Sequence, residues 1–139
     1  MIAGMTGTSR INNLLTSAVL LHLGVTVAHA MTHIQAQVAL STPALLFVLM
    51  IVFTGPIVGL IMQRTAYPRG GGWVIAATLG AAFCFGFANH FLILGADHVS
   101  HVTRAWRALF QATAVALALI EFLASGIAMW YATGERSQR

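Results

Sequence analysis

Charge is scarce in this chain. Charged residues make up 7% of its 139 residues, only three of them are acidic, and every basic residue is an arginine. Hydrophobic residues make up 58%, and the mean hydropathy is +0.83. So few polar side chains cannot cover the surface of a water-soluble domain of this size. The composition therefore excludes a soluble globular protein and predicts an integral membrane protein that contacts the lipid bilayer.

Cysteine is almost absent, because Cys84 is the only one. A single cysteine excludes an intrachain disulfide, a dithiol redox pair and a cysteine-rich metal cage. Cys84 lies in an apolar stretch, and no serine or cysteine stands at a recognisable spacing from a base. The sequence therefore gives little support to nucleophilic catalysis.

The apolar residues form four stretches, each near the ~20 residues that an α-helix needs to cross about 30 Å of hydrocarbon. The links between these stretches are short, which favours antiparallel neighbours. We therefore predict an all-α fold, an integral membrane four-helix bundle of up-down-up-down topology, forming a single transmembrane domain over residues 1–139. The predicted helices cover about residues 11–36, 44–62, 72–96 and 106–131.

Short motifs predict where these helices begin and bend. Residues 41–43 (Ser-Thr-Pro) are typical of a helix start, and residues 67–72 predict a tight turn into the third helix. Residues 54–56 (Thr-Gly-Pro) interrupt the second helix and predict a kink or a locally widened backbone there. The first apolar stretch, with Ala-His-Ala at residues 28–30, resembles a signal peptide; we interpret it as a retained first span.

The arginines predict the orientation. Arg104 and Arg107 fall on one side of the predicted bundle, and the remaining five fall on the side shared by both termini and the middle link. Because positive residues accumulate on the cytoplasmic side, we expect both termini to be cytoplasmic in a multi-pass protein of the bacterial inner membrane. The excess of basic over acidic residues then indicates anchoring to anionic lipid, with no nucleic acid as partner. The five arginines are Arg10, Arg64, Arg69, Arg136 and Arg139.

Histidines follow one face of the first helix. His22, His29 and His33 are spaced by seven and four residues, which places them within about 40° of one another. The spacing recurs in HFLILGADHVSH, residues 90–101, between His90, Asp97 and His101. The repeat raises the hypothesis of a duplicated helical hairpin and would set His90 opposite His22.

Depth in the membrane gives a different register. Counting about 1.5 Å per residue from the cytoplasmic turns, His29 and His90 lie level in the outer half, and His22 lies level with Glu121 near the middle. We prefer the depth register, because a helix end at Gly95 would make the spacing beyond it accidental. The remaining polar residues then gather at the outer surface: His33, Asp97, His98 and His101.

Convergent imidazoles and carboxylates indicate a transition-metal site near the outer face, serving redox or metal-handling chemistry with copper, iron or zinc. The predicted ligands are His29, His33, His90, Asp97 and His101, with His98 beside them. Burying ionisable groups in hydrocarbon is costly unless they pair, so His22 and Glu121 are predicted to form a deeper, proton-coupled pair.

Two alternatives stay open at this stage. His29 and His90 are also placed to act as axial ligands of a b-type haem in an electron-transfer subunit. Otherwise the chain is a non-catalytic proton relay or packing subunit, working as a homo-oligomer or within a larger membrane complex. The sequence leaves open whether the protein is an enzyme.

Overall fold

The structure, a computed structural model, describes residues 3–134. Within that part all regular secondary structure is helical. The prediction of an all-α protein with four helices long and apolar enough to cross a membrane is confirmed; they are Ser9–Ala36, Thr42–Gln63, Pro68–Leu92 and Arg104–Gly134. The orientation stays a prediction, and two of the arginines behind it, Arg136 and Arg139, lie outside the described residues.

Two of the four spans are continuous α-helices, and two contain π-helical segments. The first span is α1 (Ala3–Ala36) and the last is α5 (Arg104–Gly134). The second span consists of α2 (Thr42–Phe47), a π-helical segment (Val48–Thr54) and α3 (Gly55–Gln63). The third consists of α4 (Pro68–Phe87) and a π-helical segment (Ala88–Leu92).

The third span differs from its prediction at both ends. Helix α4 begins at Pro68, where a missing N–H costs nothing, so the glycines at 70–72 lie inside the helix and not in a turn before it. The span ends at Leu92 and not at residue 96, because Ile93 is extended with φ −92° and ψ 116°. The predicted seven-four spacing of His90, Asp97 and His101 therefore does not lie on a helix.

The second span is widened at its centre, as its Thr-Gly-Pro motif predicts. The π-helical segment Val48–Thr54 ends directly before Pro56. Proline has no backbone N–H, so the carbonyl of Val52, four residues earlier, receives no α-helical hydrogen bond from it. That carbonyl accepts a hydrogen bond from Nε2 of His22 in α1 instead, at 3.0 Å.

Packing is tight at the end of the bundle next to residues 64–67, which we call the turn half. Gly71 has no room for a side chain, because a Cβ there would overlap backbone atoms of Gly59 and Gln63. The Gln63 side chain donates to Oδ1 of Asn12 at 3.1 Å, which links the second span to α1. The apolar core of this half includes Leu15, Val19, Ile75, Leu79, Ala124 and Ala128.

The opposite end, next to residues 93–103, is the loop half. Its loop folds back over the bundle: the N–H of Val99 donates to the carbonyl of His90 at 3.0 Å. Arg107 holds the loop from α5, since its guanidinium donates to the carbonyls of Ser100 and Val102, both at 3.0 Å. The loop therefore covers the histidine face of α1 at this end of the bundle.

Candidate metal centre

Three histidines from the first and third spans meet in the loop half. Nε2 of His29 lies 3.1 Å from Nε2 of His90 and 3.2 Å from Nε2 of His33. All three side chains are buried, and one ring nitrogen of each lies within 4.8 Å of the other two. The cluster could therefore hold a metal ion.

Local structure aims each ring at the same point. His29 and His33 lie four residues apart in α1, so their side chains project from the same face one turn apart. Gln37 ends α1 with a left-handed φ of 55°, which returns the chain so that Val38 N–H bonds to the carbonyl of His33 at 3.0 Å. His90 lies in the π-helical segment Ala88–Leu92, a type of irregularity that frequently marks functional sites.

The hydrogen bonds of His29 favour a proton on one of its two ring nitrogens. Its Nδ1 lies 2.8 Å from Oγ1 of Thr113 in α5. The Thr113 hydroxyl donates to the backbone carbonyls of Leu109 and Phe110 at 2.9 and 3.0 Å, so its oxygen is free only to accept. Nδ1 of His29 is therefore the donor, and in the neutral ring Nε2 carries a free lone pair.

The same reasoning applies to the other two rings. Nδ1 of His90 lies 3.1 Å from the carbonyl of Asp97, and Nδ1 of His33 lies 3.4 Å from the carbonyl of Val38. A carbonyl oxygen only accepts, so both Nδ1 atoms are donors. With these proton placements the Nε2 lone pair of His29 lies 3.1 and 3.2 Å from Nε2 of His90 and His33, an arrangement that a cation among the three would stabilise. Metal-binding histidines almost always show this pattern of an outer N–H held by a backbone or side-chain acceptor.

Phe110 forms an apolar wall behind the cluster. Its ring centroid lies 4.8, 4.9 and 5.2 Å from those of His29, His33 and His90, and its side chain is fully buried. A ring packed against all three imidazoles restricts their rotation and keeps water from that side. Phe110 and Thr113 lie three residues apart in α5, so one face of that helix supplies both supports.

Asp97 lies beside the cluster. Its Oδ1 is 3.3 Å from Nε2 of His33 and 3.5 Å from Nδ1 of His90, and this buried oxygen has no hydrogen-bond partner among the described residues. A carboxylate in this position would offset part of the charge of a divalent cation held by the three imidazoles.

The structure does not bring His98 or His101 into the cluster. Their rings lie against each other at a centroid distance of 5.8 Å in the exposed part of the loop. His101 Nδ1 donates to the carbonyl of Gly95 at 2.7 Å, and His98 Nδ1 lies 2.7 Å from Oγ of Ser100. In this position His101 braces the loop that carries Asp97.

His22 and Glu121 meet deeper in the bundle, as their predicted depths require. Nδ1 of His22 lies 3.5 Å from Oε1 of Glu121, and both side chains are almost completely buried. The bond from Nε2 of His22 to Val52 leaves Nδ1 without a hydrogen-bond partner. A proton shared between this nitrogen and the carboxyl would satisfy both groups.

A cavity of about 520 Å³ extends from the histidine cluster to Glu121. Its polar lining includes the three clustered histidines and Asp97 at one end and Glu121 at the other. Most of the lining between them is apolar and comes from all four spans; it includes Val52, Ala82, Phe85, Leu117 and Ala118. The cluster is thus closed by Phe110 on one side and open to a chamber on another.

Comparison with protein-family models, with curated proteins and with solved structures finds no match to this chain. Any functional assignment therefore rests on the site itself.

Sequence reasoning did not identify the supporting residues of the cluster. Thr113 and Phe110 look like ordinary residues of an apolar helix, and Val38 contributes only its backbone carbonyl. The spacing of Phe110 and Thr113 was a usable signal, because residues three apart lie on the same face of a helix.

Proposed function

We propose that this chain is a multi-pass membrane protein that binds one transition-metal ion through Nε2 of His29, His33 and His90. The observation that carries the proposal is the common orientation of the three rings, each with Nδ1 held by an acceptor and Nε2 turned inward. Tetrahedral bonds of about 2.0–2.1 Å place neighbouring ligand atoms about 3.3–3.4 Å apart. The separations of His29 Nε2 from the other two Nε2 atoms, 3.1 and 3.2 Å, are close to that value. The three ligand atoms together lie within 4.8 Å of one another, so His33 and His90 would draw closer around a bound ion.

The ligand set favours a metal centre with an open coordination position. Imidazole suits zinc, copper and iron, and three protein ligands leave a fourth position for water or substrate. The cavity is lined by all three histidines, so a molecule in it could reach a fourth position of a bound ion. Such a centre supports redox or metal-handling chemistry more than a purely structural role, since structural sites are usually closed by four protein ligands.

The haem alternative fits this geometry less well. Two axial bonds of about 2 Å on opposite faces of a macrocycle would separate the ligand nitrogens by about 4 Å. His29 and His90 have their Nε2 atoms 3.1 Å apart, and Nε2 of His33 lies 3.2 Å from that of His29. A planar macrocycle between the first two rings would have to displace the third.

The test is elemental analysis and a visible spectrum of the purified protein. We expect about one equivalent of copper, iron or zinc per chain and no Soret band. The matched pair of variants is His29→Ala, which removes a proposed ligand, and His98→Ala, which removes a partly exposed histidine outside the cluster. A Soret band, or equal metal content in both variants, would overturn the proposal.

We also propose that the loop half faces the outside of the cytoplasmic membrane, with both termini in the cytoplasm, as the arginine distribution favours. In a Cys84→Ala background, Ser100→Cys should react with an impermeant thiol reagent added to intact cells, and Ser137→Cys should not. The reverse pattern would place the metal site on the cytoplasmic side.

A further inference from the structure

We infer that the cavity binds an uncharged, lipid-soluble molecule that carries an oxygen at each end of a compact ring system, such as a quinol. One oxygen would occupy the open position of the metal ion, and the other would bond to the Glu121 carboxyl. This inference rests on the proposed metal site. It adds a ligand class and a second recognition group to that site.

The two polar ends of the cavity set the length of the ligand. Thr113, which supports His29, and Glu121 lie eight residues apart on α5, a separation of about 12 Å along the helix. Helical side chains tilt toward the N-terminus of their helix, so the Glu121 carboxyl lies closer to the cluster than this backbone separation. A metal–oxygen bond of about 2.1 Å and a hydrogen bond of about 2.8 Å cover part of the remaining distance, and one six-membered ring with oxygens at opposite positions covers the rest.

The lining between these ends sets the polarity of the ligand. Val52, Phe85 and Leu117 offer only apolar surface there, and no arginine of the described part of the chain lines the cavity. An anionic group at the end away from the metal ion would have no arginine beside it and would face the carboxyl of Glu121. A cationic ligand would be repelled by the metal ion. An uncharged body with hydrogen-bonding ends therefore fits best.

Glu121 has unused capacity to bind such a molecule. It is 4% exposed, it lines the cavity, and its nearest polar neighbour is Nδ1 of His22 at 3.5 Å. That nitrogen is itself fully buried and lacks a hydrogen-bond partner. A ligand hydroxyl between or beside these groups would satisfy polar atoms that the protein alone leaves unpaired.

The cavity reaches the surface between α1 and the second span, which contact each other only sparsely. Ile34 of α1 and Leu45 of α2 both line it, and they are 67% and 46% exposed. Both are apolar and lie in spans that can cross a membrane. The ligand would therefore enter sideways from the bilayer, which matches its predicted solubility in lipid.

The experiment uses protein loaded with Co²⁺, whose visible absorption changes when an oxygen ligand enters its coordination sphere. Metal content is measured first, so failure to load is recorded as a failure of the metal site itself. The loaded protein is then titrated under nitrogen with a short-chain alkyl para-quinol, and in parallel with an alkylbenzene of the same size. We expect a saturable spectral change with the quinol and none with the hydrocarbon.

Three variants test where the quinol binds. Ala118→Phe fills the cavity and should weaken quinol binding by about tenfold or more without reducing Co²⁺ content. Its control, Ala112→Phe, lies on an exposed face of the same helix outside the cavity and should bind the quinol normally. Glu121→Leu removes the second recognition group and should weaken binding by about fivefold to tenfold.

Two outcomes would overturn the inference. If Co²⁺ loads fully but the quinol leaves its spectrum unchanged, the cavity does not present this ligand to the metal. If the quinol binds equally to the Ala118→Phe and Ala112→Phe proteins, it reaches the metal by another route. In both cases the measured Co²⁺ content leaves the proposed metal site standing.

Discussion

The two halves of the bundle use the same four spans in opposite ways. In the turn half, glycine and alanine allow the backbones to approach closely around an apolar core, with Gln63 as its buried polar side chain. In the loop half, His29, His33 and His90 are buried, and α1 stands apart from the second span to leave a cavity. One half therefore secures the helices, and the other uses the space between them for chemistry.

The comparison shows where irregular backbone occurs in helices that are long and apolar enough to span a membrane. The π-helical segment Val48–Thr54 frees the Val52 carbonyl that orients His22, and the segment Ala88–Leu92 carries His90 itself. The turn half contains neither segment. Widened turns thus occur beside the polar site, where side chains and a cavity satisfy the altered backbone, and not in the close-packed half.

The largest expected effect is the loss of metal when a ligand is removed from the loop half. His29→Ala and His90→Ala should each weaken metal binding by about a thousandfold or more, because two imidazoles cannot hold the ion as three do. Equilibrium dialysis against a competing chelator measures this. Full binding in both variants would show that the first and third spans do not share a site.

Removing a support of the same cluster should have a smaller effect. Thr113→Val deletes the acceptor for Nδ1 of His29 and nearly preserves side-chain volume, so metal affinity should fall about tenfold to a hundredfold. Thr133→Val is the matched control, because Thr133 bonds only to carbonyls of its own helix. Equal affinities in the two variants would mean that the Thr113 contact does not hold the ring.

A change in the turn half should reduce stability and leave the metal bound. Gly71→Val would force the backbones of α3 and α4 apart and should lower the free energy of unfolding by about 1–3 kcal/mol. Gly126→Val, at a glycine with open space around it, should change stability much less. Thermal unfolding in detergent compares the two. A fall in metal affinity in Gly71→Val would show that the halves are coupled.

The smallest expected effect concerns the pair of His22 and Glu121, which lies at the boundary between the two halves. A double-mutant cycle of His22→Leu and Glu121→Leu should give a coupling energy of about 0.6 kcal/mol, and no more than about 1.7 kcal/mol, as for other polar pairs within membranes. The values come from the free energies of unfolding, in detergent, of the unmutated protein, the two single variants and the double variant. Strictly additive losses would indicate that the two side chains do not interact.

The sequence was sufficient for the fold class, for the level pairing of His29 with His90 and for that of His22 with Glu121. Apolar length and the fixed rise of a helix determine these features, and both can be counted along the chain. The loop was not predictable in this way. Once Ile93 leaves the helix, the spacing of Asp97 and His101 no longer reports on a shared face.

The supports of the site also escaped prediction, because they depend on backbone detail. Gln37 takes a left-handed conformation although it is not glycine, and only then does the Val38 carbonyl reach His33. Helical periodicity places His90 on a regular helix, whereas the π-helical segment gives it a different direction. Spacing in the sequence therefore indicates which residues lie at the same depth in the bundle. The irregular backbone segments determine which of those residues are in contact.

The order in which the chain is synthesised gives the metal centre a further property. His29 and His33 leave the ribosome first, His90 follows after the second span, and Thr113 comes last, 80 residues after His33. At about 5–20 residues per second this interval is about 4–16 s. Until it has passed, the early histidines lack the helix that orients them, even after His90 has emerged. Tight binding of an ion by the proposed centre would therefore have to await the fourth span.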